Sequence, residues 1–272
     1  MAYWQGKRAV ITGGSAGLGR ALAGVLVERG ARVAIVARGK EALDAVAGQL
    51  RAQGGDVLAI ATDVTNSDGV QHMADEVQRE LGGVDLLCHC AGRSMRGNAL
   101  STSAAEYRDL WEANFLSAVL CIQAFAGPLT QSRGHIALIG SLASKVAPRY
   151  LGAYPSSKFP LAALAQQLRL ELGDEGVHVL LVCPGPIARE DASDGGERYA
   201  DVATDVPATA HKPGGGAKVR TIDPRQLSQQ ILSACERRRA ELIVPGRARL
   251  LFAISQLSPR LGDWLLRKMT AG

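Results

Sequence analysis

Six short apolar runs alternate with amphipathic segments along most of this 272-residue chain, and that alternation leaves few folds open. The runs cover residues 7–12, 32–37, 57–61, 84–90, 135–139 and 177–182, and amphipathic stretches lie between them, among them 40–53, 67–81, 103–125 and 154–172. Short aliphatic runs read as buried strands, and longer segments with a 3.6-residue period read as helices. Strands alternating with helices pair in parallel through right-handed crossovers, which predicts a doubly wound α/β sheet covered on both faces. A helix over 225–238 and a strand at 242–244 extend it to about seven strands. No repeat or linker divides the sequence, so residues 1–272 are expected to form a single domain. Ligands of such sheets bind beyond the carboxyl ends of the strands. Gly13, Arg38, Asp63, Gly92, Ser141 and Pro184 all fall at such ends.

The first strand runs into Thr12-Gly13-x-x-x-Gly17-x-Gly19 and then into a helix. Glycines at such a turn let a pyrophosphate approach the backbone, and the helix start supplies free N–H groups and positive potential. The spacing differs from the common G-x-G-x-x-G, but the strand–turn–helix context is the one a dinucleotide requires. At the end of the second strand, where an NAD enzyme carries an acid for the ribose hydroxyls, this chain has Arg38, with Lys40 close by. A missing acid and an added base favour a 2′-phosphate, hence NADP(H) over NAD(H).

Residues 141–158, SLASKVAPRYLGAYPSSK, read either as an acid/base site or as a surface helix start with an ordinary Tyr and Lys. If Tyr154 opens a helix, Lys158 lies one turn on along the same face. A fixed ammonium favours the phenolate and brings a phenol, ordinarily near pKa ~10, toward working range. Ser141 would hold a substrate oxygen while Tyr154 passes the proton; Ser144 is its rival.

The motif at 12–19, with Asp63, Ala91-Gly92, Asn114, Ser141, Tyr154, Lys158 and Pro184-Gly185, resembles the short-chain dehydrogenase/reductase family in its so-called classical group. The resemblance spans residues 7–244, in the family's order and spacing. It implies a Rossmann domain in which Tyr154 is the general acid/base and Lys158 assists it while bonding the nicotinamide ribose. Ser141 would polarise the substrate, Asn114 would hold a relay water, and Asp63 would bond the adenine. Ser15, Leu18, Val64, Ala91, Gly92, Pro184, Gly185 and Ile187 would complete the cofactor site with the glycines.

Three positions depart from the family pattern. His89-Cys90 replaces Asn-Asn, so a bond tying that loop to the first strand is lost or replaced. Arg189 stands where the family has a carboxamide-binding Thr. Pro160 falls inside an expected helix. The implied activity is NADP(H)-dependent interconversion of a ketone and a secondary alcohol. Ala37-Arg38-x-Lys40, Phe159 after Lys158 and a basic C-terminal extension look most like the branch acting on lipophilic substrates, such as steroids or ketosphinganines. A non-catalytic dinucleotide sensor is the alternative, although such relatives usually lose the Tyr or Lys.

Composition narrows the setting. Five scattered cysteines within apolar runs suit reduced core residues of a cytoplasmic protein, and Cys88-His89-Cys90 lacks the spacing of a zinc set. No apolar run reaches the ~18 residues of a membrane span. Residues 212–272 carry 12 Lys+Arg against 4 Asp+Glu, whereas the preceding part carries 19 against 22. The basic tail at 247–272 sets apolar residues on two helical faces between bases, a pattern that fits cleft closure, subunit packing or peripheral contact with the inner membrane face. No recognition helix or aromatic platform points to nucleic acid. Residues 189–222 read as a substrate lid. The resemblance also implies that the helices around Asn114 and after Tyr154 pair copies into a dimer or tetramer, and the outward positions Ala163, Leu164, Gln167 and Leu170 are apolar enough to support it.

Overall fold

The computed structural model describes residues 3–188, 206–207 and 220–270. Most of the expected 189–222 lid, Arg189 included, lies outside the described residues. Seven strands form one parallel sheet: β1 (Arg8–Thr12), β2 (Arg32–Ala37), β3 (Asp56–Ala61), β4 (Leu86–His89), β5 (His135–Ile139), β6 (His178–Pro184) and β7 (Glu241–Val244). Their order is β3-β2-β1-β4-β5-β6-β7, and every pair is parallel. The chain reverses its direction of winding between β1 and β4. In an open sheet that reversal parts the loops and opens a crevice.

Side chains alternate across the strands and divide the core into two layers. Ala9, Ile11, Val33 and Ile35 face α1 (Gly17–Glu28), α2 (Lys40–Ala52) and α7 (Pro224–Glu236), with Trp4 sealing that side. Val10, Ala34 and Val36 face α3 (Ser67–Leu81), α5 (Ser117–Ser132) and α6 (Tyr154–Leu172). The period-2 pleat produces both layers from strands that are apolar throughout.

The long helix expected over 103–125 is three segments and runs further. α4 (Ala104–Trp111) starts at a Ser103–Glu106 capping box, a π-helical turn covers Glu112–Leu116, and α5 completes it. The 29-residue stretch Ala104–Ser132 has the length and hydropathy of a membrane span, yet Leu110, Cys121, Ile122, Phe125 and Leu129 are buried against the sheet and neighbouring helices. Pro160 does not break α6. It cannot donate to the carbonyl of Ser156, and the indole Nε1–H of Trp111 donates to that carbonyl instead, at 3.1 Å. Beyond β7, α8 (Ala248–Leu257) and α9 (Pro259–Thr270) fold back on each other.

Candidate active site

A cleft of about 1660 Å³ opens at the carboxyl ends of the strands. Its floor is the glycine-rich turn. Gly13 has φ +68°, and a Cβ there would stand 3.0 Å from Ala91 N. A Cβ on Gly19 would lie 2.2 Å from Gly13 O, so the helix can start this close to the turn with no other residue. Ala16 at the N-cap of α1 offers no capping side chain. The first-turn amides beside Ser15, Gly17 and Leu18 are thus left to an anionic ligand.

The loop after β4 is held by a histidine. Ala91 N–H donates to Thr12 Oγ1 at 3.1 Å, and Thr12 Oγ1 meets His89 Nδ1 at 3.0 Å. His89 Nε2 meets Ser117 Oγ at 3.1 Å, and Ser117 Oγ donates to Ala113 O at 2.9 Å. Because the serine proton is committed to a carbonyl, Nε2 carries the ring's proton and Nδ1 accepts from Thr12. Burial, and secondarily the Lys158 charge, lower the His89 pKa to about 3, so the ring is neutral. His89 thus ties β1, β4 and the π-helical turn together. The tie to the first strand is replaced rather than lost.

Asn114 sits in that turn, fully buried. Its Oδ1 accepts from Arg93 N at 2.8 Å, and its Nδ2 donates to Arg93 O at 2.9 Å and Ser157 Oγ at 2.8 Å. Gly92 is wedged beside it: a Cβ there would be 2.6 Å from Asn114 Oδ1 and 3.4 Å from Lys158 Nζ. Lys158 is buried, donates to Ile139 O at 2.9 Å, and has a pKa lowered to about 8, chiefly by burial. Tyr154 opens α6 one turn earlier, and both line the cleft. Ser141, at the end of β5, caps a short 3₁₀ turn (Leu142–Ser144), its Oγ accepting from Ala143 N at 3.1 Å. Ser144 is buried, accepts from Ser141 N at 3.1 Å and does not line the cleft, whereas Ser141 does.

At the other end Arg38, Asp63 and Val64 line the cleft. Asp63 accepts from Thr65 N at 3.0 Å and Thr65 Oγ1 at 2.8 Å. The Thr65 backbone bond, with help from its hydroxyl and from Arg38, holds the Asp63 carboxyl below the ordinary range. Ala91, Gly92, Pro184, Gly185 and Ile187 close the middle. Three expected residues do not line it. Thr12 and Asn114 brace it from behind, and Lys40, exposed on the first turn of α2, pairs with Asp44 at 2.8 Å. The Lys40 ammonium thus lies in a helix-surface ion pair outside the cleft lining. The sequence reading missed the cleft residues Arg93 and Arg96, which follow the glycine without any pattern of their own.

A glycine-rich turn at the switch point, Arg38 after β2, and Tyr154, Lys158 and Ser141 thus line one cleft. Residues 7–196 match the short chain dehydrogenase family model. The chain belongs to the short-chain dehydrogenase/reductase family, whose members carry out NAD(P)-dependent oxidoreduction. It is 33% identical over 230 residues to glycine betaine reductase ATRR of Emericella nidulans, covering 84% of this chain and 17% of that much longer protein. It is 28% identical over 269 residues to the ketoacyl reductase HetN of a Nostoc species, covering 96% of this chain and 88% of HetN. Among solved structures, a single-residue variant of actinorhodin polyketide ketoreductase with NADPH aligns with TM-score 0.77 and 26% identity, over 90% of this chain and 97% of that one.

Proposed function

We propose that this protein reduces a lipophilic ketone to a secondary alcohol with NADPH, or runs the reverse reaction with NADP⁺. The carrying observation is one cleft that places Tyr154, Lys158 and Ser141 beside a glycine cradle with Arg38 at its far end. The turn suits a pyrophosphate, because side chains at Gly13 or Gly19 would strike the backbone of Ala91 or Gly13, and without them the start of α1 packs close enough to line the cleft with its uncapped amides. When bound, the nicotinamide supplies or accepts the hydride at the carbonyl carbon. Ser141 Oγ holds the carbonyl oxygen, and Tyr154 gives it a proton as the oxyanion develops. The buried Lys158 ammonium stabilises the negative charge left on the phenol oxygen, one helical turn away. Asn114 holds the Arg93 segment and Ser157 in place beside Lys158, where a water could return the proton.

Two observations support the finer assignments. Leu250, Leu251, Ile254, Leu265, Leu266 and Met269 line the outer cleft, an apolar wall suited to a lipophilic substrate. Arg38 stands where a ribose-binding acid would favour NAD. NADP(H) should bind at least about tenfold tighter than NAD(H), roughly 1.4 kcal/mol, and Arg38→Asp should reverse the order. Fluorescence titration of both cofactors checks this, and equal wild-type affinities would remove the argument. A panel of long-chain and cyclic ketones followed by NADPH consumption tests the substrate class.

The protein should also self-associate. Phe159, Ala163, Gln167 and Leu170 make an exposed stripe along α6, with Trp111 and Leu116 exposed on the neighbouring helix. Light scattering should give a dimer or tetramer mass; a concentration-independent monomer refutes this pairing.

A further inference from the structure

We propose that α8 and α9 dock this protein on an anionic phospholipid surface, with the mouth of the cleft turned toward the lipid. Five large apolar side chains on these two helices are exposed: Leu250 (69%), Leu257 (87%), Leu261 (46%), Trp264 (49%) and Met269 (49%). The inner faces are already used. Phe252 packs into the core layer on β7, and the helices cross so closely that a Cβ on Gly262 would lie 2.6 Å from Ser255 Oγ. What remains apolar faces outward. It is also continuous with the cleft, because Leu250 and Met269 are exposed and line it at the same time.

The charges select the occupant. Residues 246–270 carry Arg247, Arg249, Arg260, Arg267 and Lys268 against the single acid Asp263. Lys268 Nζ lies 4.1 Å from the centroid of the Trp264 ring, a cation held against an indole. Such pairs suit the boundary where rings enter the headgroup layer and ammonium groups stay in water. On the flank of α8, Arg169, Arg239 and Arg249 line a second hollow and add positive potential. A two-fold contact between copies through this face would bring the same bases against one another. An anionic lipid surface attracts every one of them. Orientation of the mouth toward lipid rests on the lipophilic-ketone reading of the cleft; docking by the helix pair does not.

The test is sedimentation of the full-length protein with phosphatidylcholine vesicles, with and without phosphatidylserine, at low and high salt. Two variant sets avoid the cleft: L257E/W264E removes apolar contact, and R260E/R267E/K268E reverses charge. NADPH titration confirms that each variant is folded. Wild type should bind the anionic vesicles at low salt and release at high salt. Neutral vesicles or either variant set should lower the partition coefficient roughly tenfold or more. The proposal is overturned if wild type stays in the supernatant with anionic vesicles at low salt, or if both variant sets bind as wild type does. It is equally overturned if L257E/W264E lowers the oligomer mass in lipid-free light scattering while wild type ignores vesicles, which would make the face a contact between copies. Binding is read without substrate, so a wrong ketone assignment and a failed docking give separate results.

Discussion

Tyr154→Phe should lower turnover by about two to four orders of magnitude while leaving NADPH affinity within a few fold. The substitution removes one oxygen and keeps the ring. The start of α6 is secured independently, by Tyr154 N donating to Leu151 O at 3.0 Å and Ser157 Oγ donating to Tyr154 O at 2.8 Å. Lys158 keeps its own anchor on Ile139 O. Under the proposed mechanism, what disappears is the group that passes a proton to the carbonyl oxygen, and Ser141 would hold that oxygen without replacing the donor. Lys158→Ala should behave differently. Under the same proposed mechanism it removes the buried ammonium assigned both to the proton transfer and to the cofactor, so both turnover and NADPH affinity should fall. Steady-state rates on the best ketone and fluorescence titration of NADPH separate the two patterns. Substantial turnover by Tyr154→Phe would place the acid elsewhere in the cleft.

The sheet was legible because its signals are local. Each strand is a short aliphatic run, each helix has its own period, and parallel pairing follows from their alternation alone. The glycine turn was legible for the same reason, since Thr12 through Gly19 acts within eight residues. What the sequence hid depends on partners far along the chain. The indole that completes Pro160's turn comes from Trp111, and nothing at either position advertises the other. His89 reads as an odd replacement until Ser117, 28 residues away, fixes its tautomer. Proximity in sequence to Arg38 says nothing about direction: as the first residue of α2, Lys40 pairs along the helix surface with Asp44. The α8–α9 segment was legible as two amphipathic helices, but that it walls the cleft required the tertiary fold.

Lowering the pH from about 6.5 to 5 should destabilise the fold by several kcal/mol, before any carboxylate is protonated to a large extent. His89 and His135 are both held neutral by burial, each with its pKa lowered to about 3, and His178 is lowered by burial too. The hydrogen bonds explain why neither buried ring accepts a second proton easily. His178 Nε2 faces Arg239 O at 2.8 Å and must donate to it, so its Nδ1 accepts from His135 Nδ1–H at 2.9 Å. His135 Nε2 then accepts from Tyr3 O–H at 2.6 Å. Protonating His178 would set two N–H groups against each other, and Lys7 and Arg238 add positive charge around His135. Cys235 completes this cluster, its sulfur and the two rings offering donor atoms within 4.8 Å of one another. Above pH ~6.5 neither folded nor unfolded histidines are charged, and the stability is fully present. Below it the unfolded chain takes up protons that the folded chain refuses, so stability falls as pH falls until the folded pKa is reached. One such histidine contributes about 1.6 kcal/mol between pH ~6.5 and 5, since the unfolded ring is already half protonated at the start, and two contribute about 3. A domain with roughly 5–15 kcal/mol in total should show this clearly. The lowered carboxyls Asp63 and Asp85 act in the same direction, but their ordinary values near ~4 put their effect at lower pH. Urea unfolding across this window measures the slope, and His89→Asn should remove one histidine's share of it. A slope near zero between these pH values would mean that the buried rings are charged in the folded protein, and the tautomers assigned to both networks would be wrong.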